Sequence, residues 1–198
     1  MAERSSRLFF FLLLIYSAKG FRLGQWGTLI SLSHSLMSRV ANAREARQDH
    51  AGADRARKIA ERIHRFRGGR GLWSTGWDFA WNYAWQGGIP ASEIYRSTVD
   101  ILGAISEFQR CKSGEERTGW VLRSYPRLLG LSKSLLKTLL RSFSRSGPIR
   151  EAVLLMQREI VEGELLRDCL DVGAADLEGL LRIVRDMFYS AYSNYNEL

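Results

Sequence analysis

The sequence is poor in residues that cross-link or interrupt a fold, since its 198 residues include only two cysteines and three prolines. Two thiols cannot form a disulfide framework or a four-thiolate zinc site by themselves. Cys111 and Cys169 are expected to be separate buried thiols, with a bridge between them as the alternative if the chain enters the secretory pathway. A hydrophobic fraction of 45% excludes a disordered chain, and the composition is not collagen-like. At this length we expect one domain with a core of ordinary size.

Sequence motifs for catalysis and metal binding are also missing. There is no Cys-x-x-Cys, His-Glu-x-x-His, phosphate-binding loop or Gly-x-Ser-x-Gly pattern, and His34, His50 and His64 are isolated from one another. We therefore expect no enzymatic role, no cofactor, no metal and no small-molecule substrate. Four carboxylates near the C-terminus lie at helical spacing and are expected to form a solvated face, namely Glu159, Glu162, Asp168 and Asp171.

The N-terminus carries the longest apolar run, the nine residues Leu8–Tyr16. This run is too short to span a bilayer, because a membrane-spanning helix needs about 20 residues. A basic start precedes this run, and the small-x-small sequence Ala18-Lys19-Gly20 follows it. This order predicts a signal or anchor segment over 1–20 and favours membrane association in the secretory pathway. The alternatives are a segment that targets a mitochondrion or plastid, because no acidic residue lies between Arg4 and Arg44, and a buried core helix.

The net charge of +8 is divided unevenly along the chain. Residues 151–198 hold four basic and ten acidic residues, a balance of −6, so residues 1–150 carry +14. Such an asymmetry indicates an anionic partner for the basic part. Alternatively, the acidic segment folds back and neutralises it.

Apolar residues recur at helical spacing in six segments, and clear period-two strands are absent. The pattern predicts an all-α bundle of five to seven amphipathic helices, with an apolar targeting or anchor segment at its N-terminus. We expect a single helical domain over 21–198, basic over 21–150 and acidic over 151–198. Asp176 and Ser146 are expected to cap the last two helices. The six apolar stripes cover 29–43, 53–66, 94–108, 128–143, 153–160 and 177–188.

Four tryptophans form a ladder with a strict four-residue spacing. Each step of four advances about 40° around a helix, so the indoles form one slowly turning stripe. Indole suits the boundary between hydrocarbon and water, and it also stacks on bases. The third interpretation is a packed core seam. The ladder consists of Trp73, Trp77, Trp81 and Trp85.

A basic amphipathic helix is predicted over Pro126–Ser146. One side carries leucines, and the other carries four basic residues at a spacing of four: Lys133, Lys137, Arg141 and Arg145. From Arg117 to Arg150 there are eight basic residues and no carboxylate, so ion pairs within the helix are impossible. Such a helix suits an anionic membrane interface or an acidic partner protein. It is equally typical of a bundle helix whose cationic face is solvated.

A second basic stretch, Arg39–Arg70, has ten Lys and Arg against four carboxylates and leads into the tryptophan ladder. Arginine beside glycine and aromatic residues is typical of single-stranded nucleic-acid binding. The alternative is an exposed helix face with internal ion pairs. The candidate nucleic-acid contacts are Arg55, Lys58, Arg62, Arg67 and Arg70.

Together these features predict a non-enzymatic, membrane-associated helical protein. The tryptophan ladder and the basic helix would contact anionic lipid or an acidic partner protein, and the acidic C-terminal helices would cover or regulate the basic face. The alternatives are a nucleic-acid-binding protein that uses Arg39–Arg70 and the ladder, and a structural subunit of a larger complex.

Overall fold

The computed structural model describes residues 23–65, 90–143, 147–162 and 164–196. These ranges form six α-helices and contain no strand. The prediction of an all-α bundle is confirmed for this part of the chain, while the predicted segment 1–20 lies outside it. The helices are α1 (Leu23–Ala46), α2 (His50–Arg65), α3 (Ala91–Arg110), α4 (Gly114–Ser142), α5 (Pro148–Glu162) and α6 (Leu165–Asn196).

The last helix, α6, joins two apolar clusters. It packs along α1 and along α3, while α2 packs on α1 and α4 packs on α3 and α5. The first cluster contains side chains of α1, α2 and the start of α6, including Leu36, Val40 and Ile59. The second contains side chains of α3, α4 and α6, including Ile105 and Leu128. Each helix therefore buries the apolar stripe that its sequence displays.

Local hydrogen bonds explain where several helices begin and end. Ser113 Oγ accepts a hydrogen bond of 3.1 Å from the amide of Glu116, whose carboxylate accepts one of 2.7 Å from the amide of Lys112. This reciprocal cap starts α4 twelve residues before the predicted Pro126, which instead lies inside the helix on its exposed side. At the other end, Arg150 Nη1 donates to the carbonyl oxygens of Leu140 and Phe143, at 3.0 and 2.9 Å.

Helix α6 is kinked at Gly173. Gly173 has non-helical dihedral angles there, φ −164° and ψ 43°. Asp176, predicted as a helix cap, instead forms an ion pair with Arg39 of α1. This ion pair and the kink both lie where α1 and α6 approach each other closely. A Cβ added at Gly173 would lie only 2.5 Å from Leu36 Cδ1. The predicted cap Ser146 lies outside the described residues.

Candidate functional site: a buried ion network and a cationic helix face

A buried arginine of α1 joins four helices through hydrogen bonds. Arg44 Nε donates to Asp168 Oδ2 of α6 at 2.6 Å, and its Nη1 donates to Glu159 Oε2 of α5 at 3.3 Å. The same Nη1 donates to the carbonyl oxygen of Gly52, in the first turn of α2, at 3.1 Å. The side chains of Arg44, Glu159 and Asp168 are at most 4% exposed. All three side chains are therefore buried charged groups, and Arg44 pairs with both carboxylates.

Two outer arginines bind the remaining oxygens of these carboxylates. Arg47 pairs with Asp168 Oδ1, and Arg55 Nε lies 2.8 Å from Glu159 Oε1. Burial lowers the pKa of Arg44, but the hydrogen bonds and charges of Asp168 and Glu159 outweigh burial, and the net pKa is raised. The hydrogen bond to Asp168 likewise raises the pKa of Arg47. Both guanidinium groups therefore stay charged.

The prediction that the four carboxylates near the C-terminus form a solvated face is therefore wrong for two of them. Glu159 and Asp168 are buried, whereas Glu162 and Asp171 are exposed as predicted. Helical spacing alone could not distinguish the two pairs. The one signal in the sequence was the opposite sign of the Arg39–Arg70 and 151–198 segments, which favours pairing between them.

An open cleft of about 270 Å³ lies beside the network. Two non-glycine residues near its edges adopt left-handed backbone conformations, Gln48 with φ 62° and Glu164 with φ 53°. Such a conformation costs a non-glycine residue about 1 kcal/mol or more. The lining carries charges of both signs, four carboxylates and two arginines. Its lining residues are Arg47, Asp49, Arg55, Glu162, Glu164 and Asp168.

The acidic helices therefore pair with part of the Arg39–Arg70 stretch. Arg39, Arg44, Arg47 and Arg55 all pair with carboxylates of α5 or α6. Of the candidate nucleic-acid contacts, Arg55 is engaged in this way, while Lys58 and Arg62 are exposed. Arg67 and Arg70 lie outside the described residues.

The basic residues of α4 have few such partners within the described residues. Lys133, Lys137 and Arg141 are exposed along one side of α4, while Arg145 lies outside the described ranges. Only Arg141 has a carboxylate nearby, Glu93 Oε2 of α3 at 3.7 Å. Within the described part of the chain, no carboxylate pairs with the other basic side chains on this side. We call this side the cationic face; it consists of Arg123, Arg127, Lys133, Lys137 and Arg141.

The leucine side of α4 is packed inside the bundle. Leu128 and Leu135 are buried in the second apolar cluster, and Leu131 and Leu139 pack against it. This side is therefore not available to lipid in the folded chain. One apolar residue of α4 departs from this pattern: Leu122 is 77% exposed and lies next to the cationic face.

The tryptophan ladder, comprising Trp73, Trp77, Trp81 and Trp85, lies outside the described residues. A different indole, Trp120, is buried in the second cluster, where its ring meets Phe108 edge-on at a centroid distance of 5.1 Å. Trp120 Nε1 is buried and finds no acceptor among the described residues. An unpaired buried donor is unfavourable, so the apolar contacts of this ring must outweigh that cost.

The two cysteines are free thiols in different surroundings. Cys169 is buried as predicted, and burial raises its pKa to about 12. Cys111 is partly exposed, contrary to the expectation of two buried thiols. Since a reactive cysteine needs an accessible thiolate, Cys169 is chemically inert in the folded chain.

The histidines are not all isolated, as their sequence positions had suggested. The rings of His34 and His64 meet between α1 and α2 with centroids 5.4 Å apart. His50 lies elsewhere, with its Nδ1 2.7 Å from Glu45 Oε1. Within the described ranges, no three His, Cys, Asp or Glu side chains are grouped so as to hold a metal ion.

No helix in the described ranges has the length and apolar character needed to cross a bilayer. Comparison of the chain with protein-family models, with curated proteins and with solved structures gave no significant match. Its function is therefore inferred from its own residues.

Proposed function

We propose that this chain is a non-enzymatic protein that binds an anionic membrane surface through the cationic face of α4. One observation carries the proposal. Between Arg117 and the end of α4 at Ser142 there are six basic residues and no carboxylate, and five of the six share one exposed side. The acidic helices are engaged with α1 and α2, so the positive charge of α4 is not compensated from there.

Two properties of this face favour lipid over nucleic acid. Leu122 is exposed beside it, and membrane-binding surfaces combine basic side chains with apolar ones. The two aromatic residues of α4, Trp120 and Tyr125, are buried and half-buried, so α4 itself offers no exposed ring for the base stacking that single-strand binding uses.

The manner of binding differs from the one expected for an isolated amphipathic helix. Because Leu128 and Leu135 belong to the core, α4 would lie on the headgroups without inserting its leucine side. Each basic residue near an anionic surface contributes about 1 kcal/mol. The binding free energy should therefore come mainly from charge and weaken with salt, because the Debye length shortens as ionic strength rises.

The test compares the full chain with two triple variants by vesicle co-sedimentation. The first variant, Arg127→Gln/Lys133→Gln/Lys137→Gln, neutralises the cationic face. The second, Lys58→Gln/Arg62→Gln/Arg65→Gln, removes the same charge from exposed positions of α2 and serves as the matched control. Vesicles of phosphatidylcholine alone and with 30% phosphatidylserine are used at about 0.05 and 0.5 M salt.

We expect the α4 variant to lose about 3 kcal/mol, roughly a 100-fold loss of affinity for the anionic vesicles at low salt. The α2 variant should bind like the parent chain. Residues 1–20 are present in all three proteins, so any lipid binding by that segment cancels in the comparison. Equal binding by all three would contradict the proposal. Greater loss in the α2 variant, together with binding of a single-stranded oligonucleotide, would instead favour the nucleic-acid alternative.

A further inference from the structure

The first half of the cationic face carries two arginines without partners in the bundle. Arg123 and Arg127 lie four positions apart on α4, and residues at this spacing share one side of a helix, with their Cβ atoms about 5–6 Å apart. Both side chains are exposed, and within the described part of the chain neither guanidinium group has an ion pair or a hydrogen bond. Their donors are therefore available to one shared ligand.

Gly119 lets the first of these guanidinium groups lie close to the helix. A Cβ added at Gly119 would lie 3.2 Å from Arg123 Nη1 and 3.8 Å from Arg123 Cζ. The group therefore rests on the surface of α4, over a position that has no side chain of its own. A side chain held in this way loses less conformational freedom on binding than one extended into water.

The chemistry of this pair favours a phosphomonoester. A guanidinium group presents its N–H donors in a planar fork that matches two oxygens of a phosphate, whereas the ammonium groups of Lys133 and Lys137 act as point charges. A phosphomonoester offers three acceptor oxygens and carries a charge of about −1.5 to −2 at neutral pH. A phosphodiester headgroup offers fewer free oxygens and less charge on its phosphate. Two neighbouring guanidinium groups therefore gain more from the monoester.

The residues beside the pair favour a lipid over a soluble phosphate. Leu122, which is 77% exposed, directly precedes Arg123, and the exposed Pro126 directly precedes Arg127. Each arginine therefore has an exposed apolar neighbour. A soluble phosphate gains nothing from these apolar side chains, whereas the acyl region of a membrane lies directly beneath its phosphates.

We propose that Arg123 and Arg127 bind the phosphomonoester headgroup of an anionic lipid and make the cationic face selective among anionic membranes. This inference rests on the proposed function, because it names the class of lipid that the same face recognises. Lys133, Lys137 and Arg141 supply the attraction that any anionic surface would provide.

The test compares vesicles that contain phosphatidic acid, a phosphomonoester, with vesicles that contain phosphatidylserine, a phosphodiester. The two preparations are matched in surface potential, so total charge does not differ. We expect the full chain to bind the phosphatidic acid vesicles about five- to tenfold more tightly.

A charge-conserving variant isolates the role of the two arginines. Arg123→Lys/Arg127→Lys keeps both charges but loses the planar forks, so its affinities for the two vesicle types should become similar. An unchanged circular dichroism spectrum shows that this variant is folded. The matched control is Arg62→Lys/Arg65→Lys, which makes the same change at exposed positions of α2 and should keep the preference of the parent chain.

The outcomes separate this inference from the proposed function. Equal binding of both vesicle types by the parent chain would overturn the inference and leave the proposed function intact. A preference that survives Arg123→Lys/Arg127→Lys would also overturn it, because the selectivity would then lie elsewhere. Binding of neither vesicle type would refute the proposed function and this inference together.

A competition experiment distinguishes a lipid headgroup from a soluble phosphate. Inorganic phosphate, added in excess at constant ionic strength, should leave the chain on the phosphatidic acid vesicles. Complete release would show that the pair binds free phosphate equally well and would overturn the assignment to a lipid.

Discussion

Removing the guanidinium group of Arg44 is the sharpest test of the buried network. Arg44→Met keeps most of the apolar stem and deletes the charge. Glu159 and Asp168 then remain buried with one outer arginine each, Arg47 for Asp168 and Arg55 for Glu159. Both outer side chains are about half exposed and cannot replace the hydrogen bonds made inside.

The size of the effect follows from this burial. Breaking a buried ion pair by removing one partner costs about 3–5 kcal/mol, because the opposite charge is left uncompensated away from water. Arg44 also donates to the Gly52 carbonyl, which loses its partner too. We therefore expect the free energy of unfolding to fall by about 3–5 kcal/mol, a large share of the 5–15 kcal/mol of a typical domain.

The assay is urea unfolding followed by circular dichroism, with Arg57→Met as the matched control. Arg57 also pairs with two carboxylates, Glu45 and Asp54, but at the surface, where solvent screens the interaction. The control should therefore change stability little. If Arg44→Met lost no more stability than Arg57→Met, the network would not hold the four helices together. A variant in which Arg44, Glu159 and Asp168 are all replaced by apolar residues should recover much of the loss. No buried charge is then left unpaired, and the outer partners Arg47 and Arg55 are about half exposed to water.

Three further predictions concern single residues. Trp120→Phe should reduce stability by less than about 1 kcal/mol in the same assay. The substitution removes part of the ring, but it also removes a buried N–H donor that has no acceptor among the described residues. A loss of about 3 kcal/mol would indicate that Nε1 is hydrogen-bonded. Gly173→Ala should destabilise by about 1–3 kcal/mol, because the added Cβ would lie too close to the side chains of Arg39 and Leu36; a neutral result would mean that these side chains move aside freely. At pH 8 a thiol reagent should modify Cys111 in the folded chain but reach Cys169 only after unfolding. Cys169 is buried, and its pKa of about 12 keeps it protonated at this pH. Equal rates of modification at the two cysteines in the folded chain would contradict this prediction.

The helices themselves were predictable from local pattern. The stripes over 94–108 and 153–160 fall within α3 and α5, because apolar residues repeating every 3.6 positions bury one side of a helix wherever it packs. The start of α4 was not predictable in this way, because the reciprocal cap at Ser113 lets the helix begin at Gly114, well before the apolar stripe over 128–143. Pro126 therefore does not start this helix.

The role of each charge, in contrast, was decided by the packing of distant segments. The sequence shows two basic stretches and one acidic region, and by itself it does not say which basic stretch the acidic helices neutralise. The structure pairs them with α1 and α2 through Arg39, Arg44, Arg47 and Arg55, and it leaves the cationic face of α4 exposed. It also brings His34 to His64 across a helical hairpin. Helix formation depends on neighbours within a few residues, whereas the buried ion pairs of this chain join residues more than a hundred positions apart, such as Arg44 and Asp168.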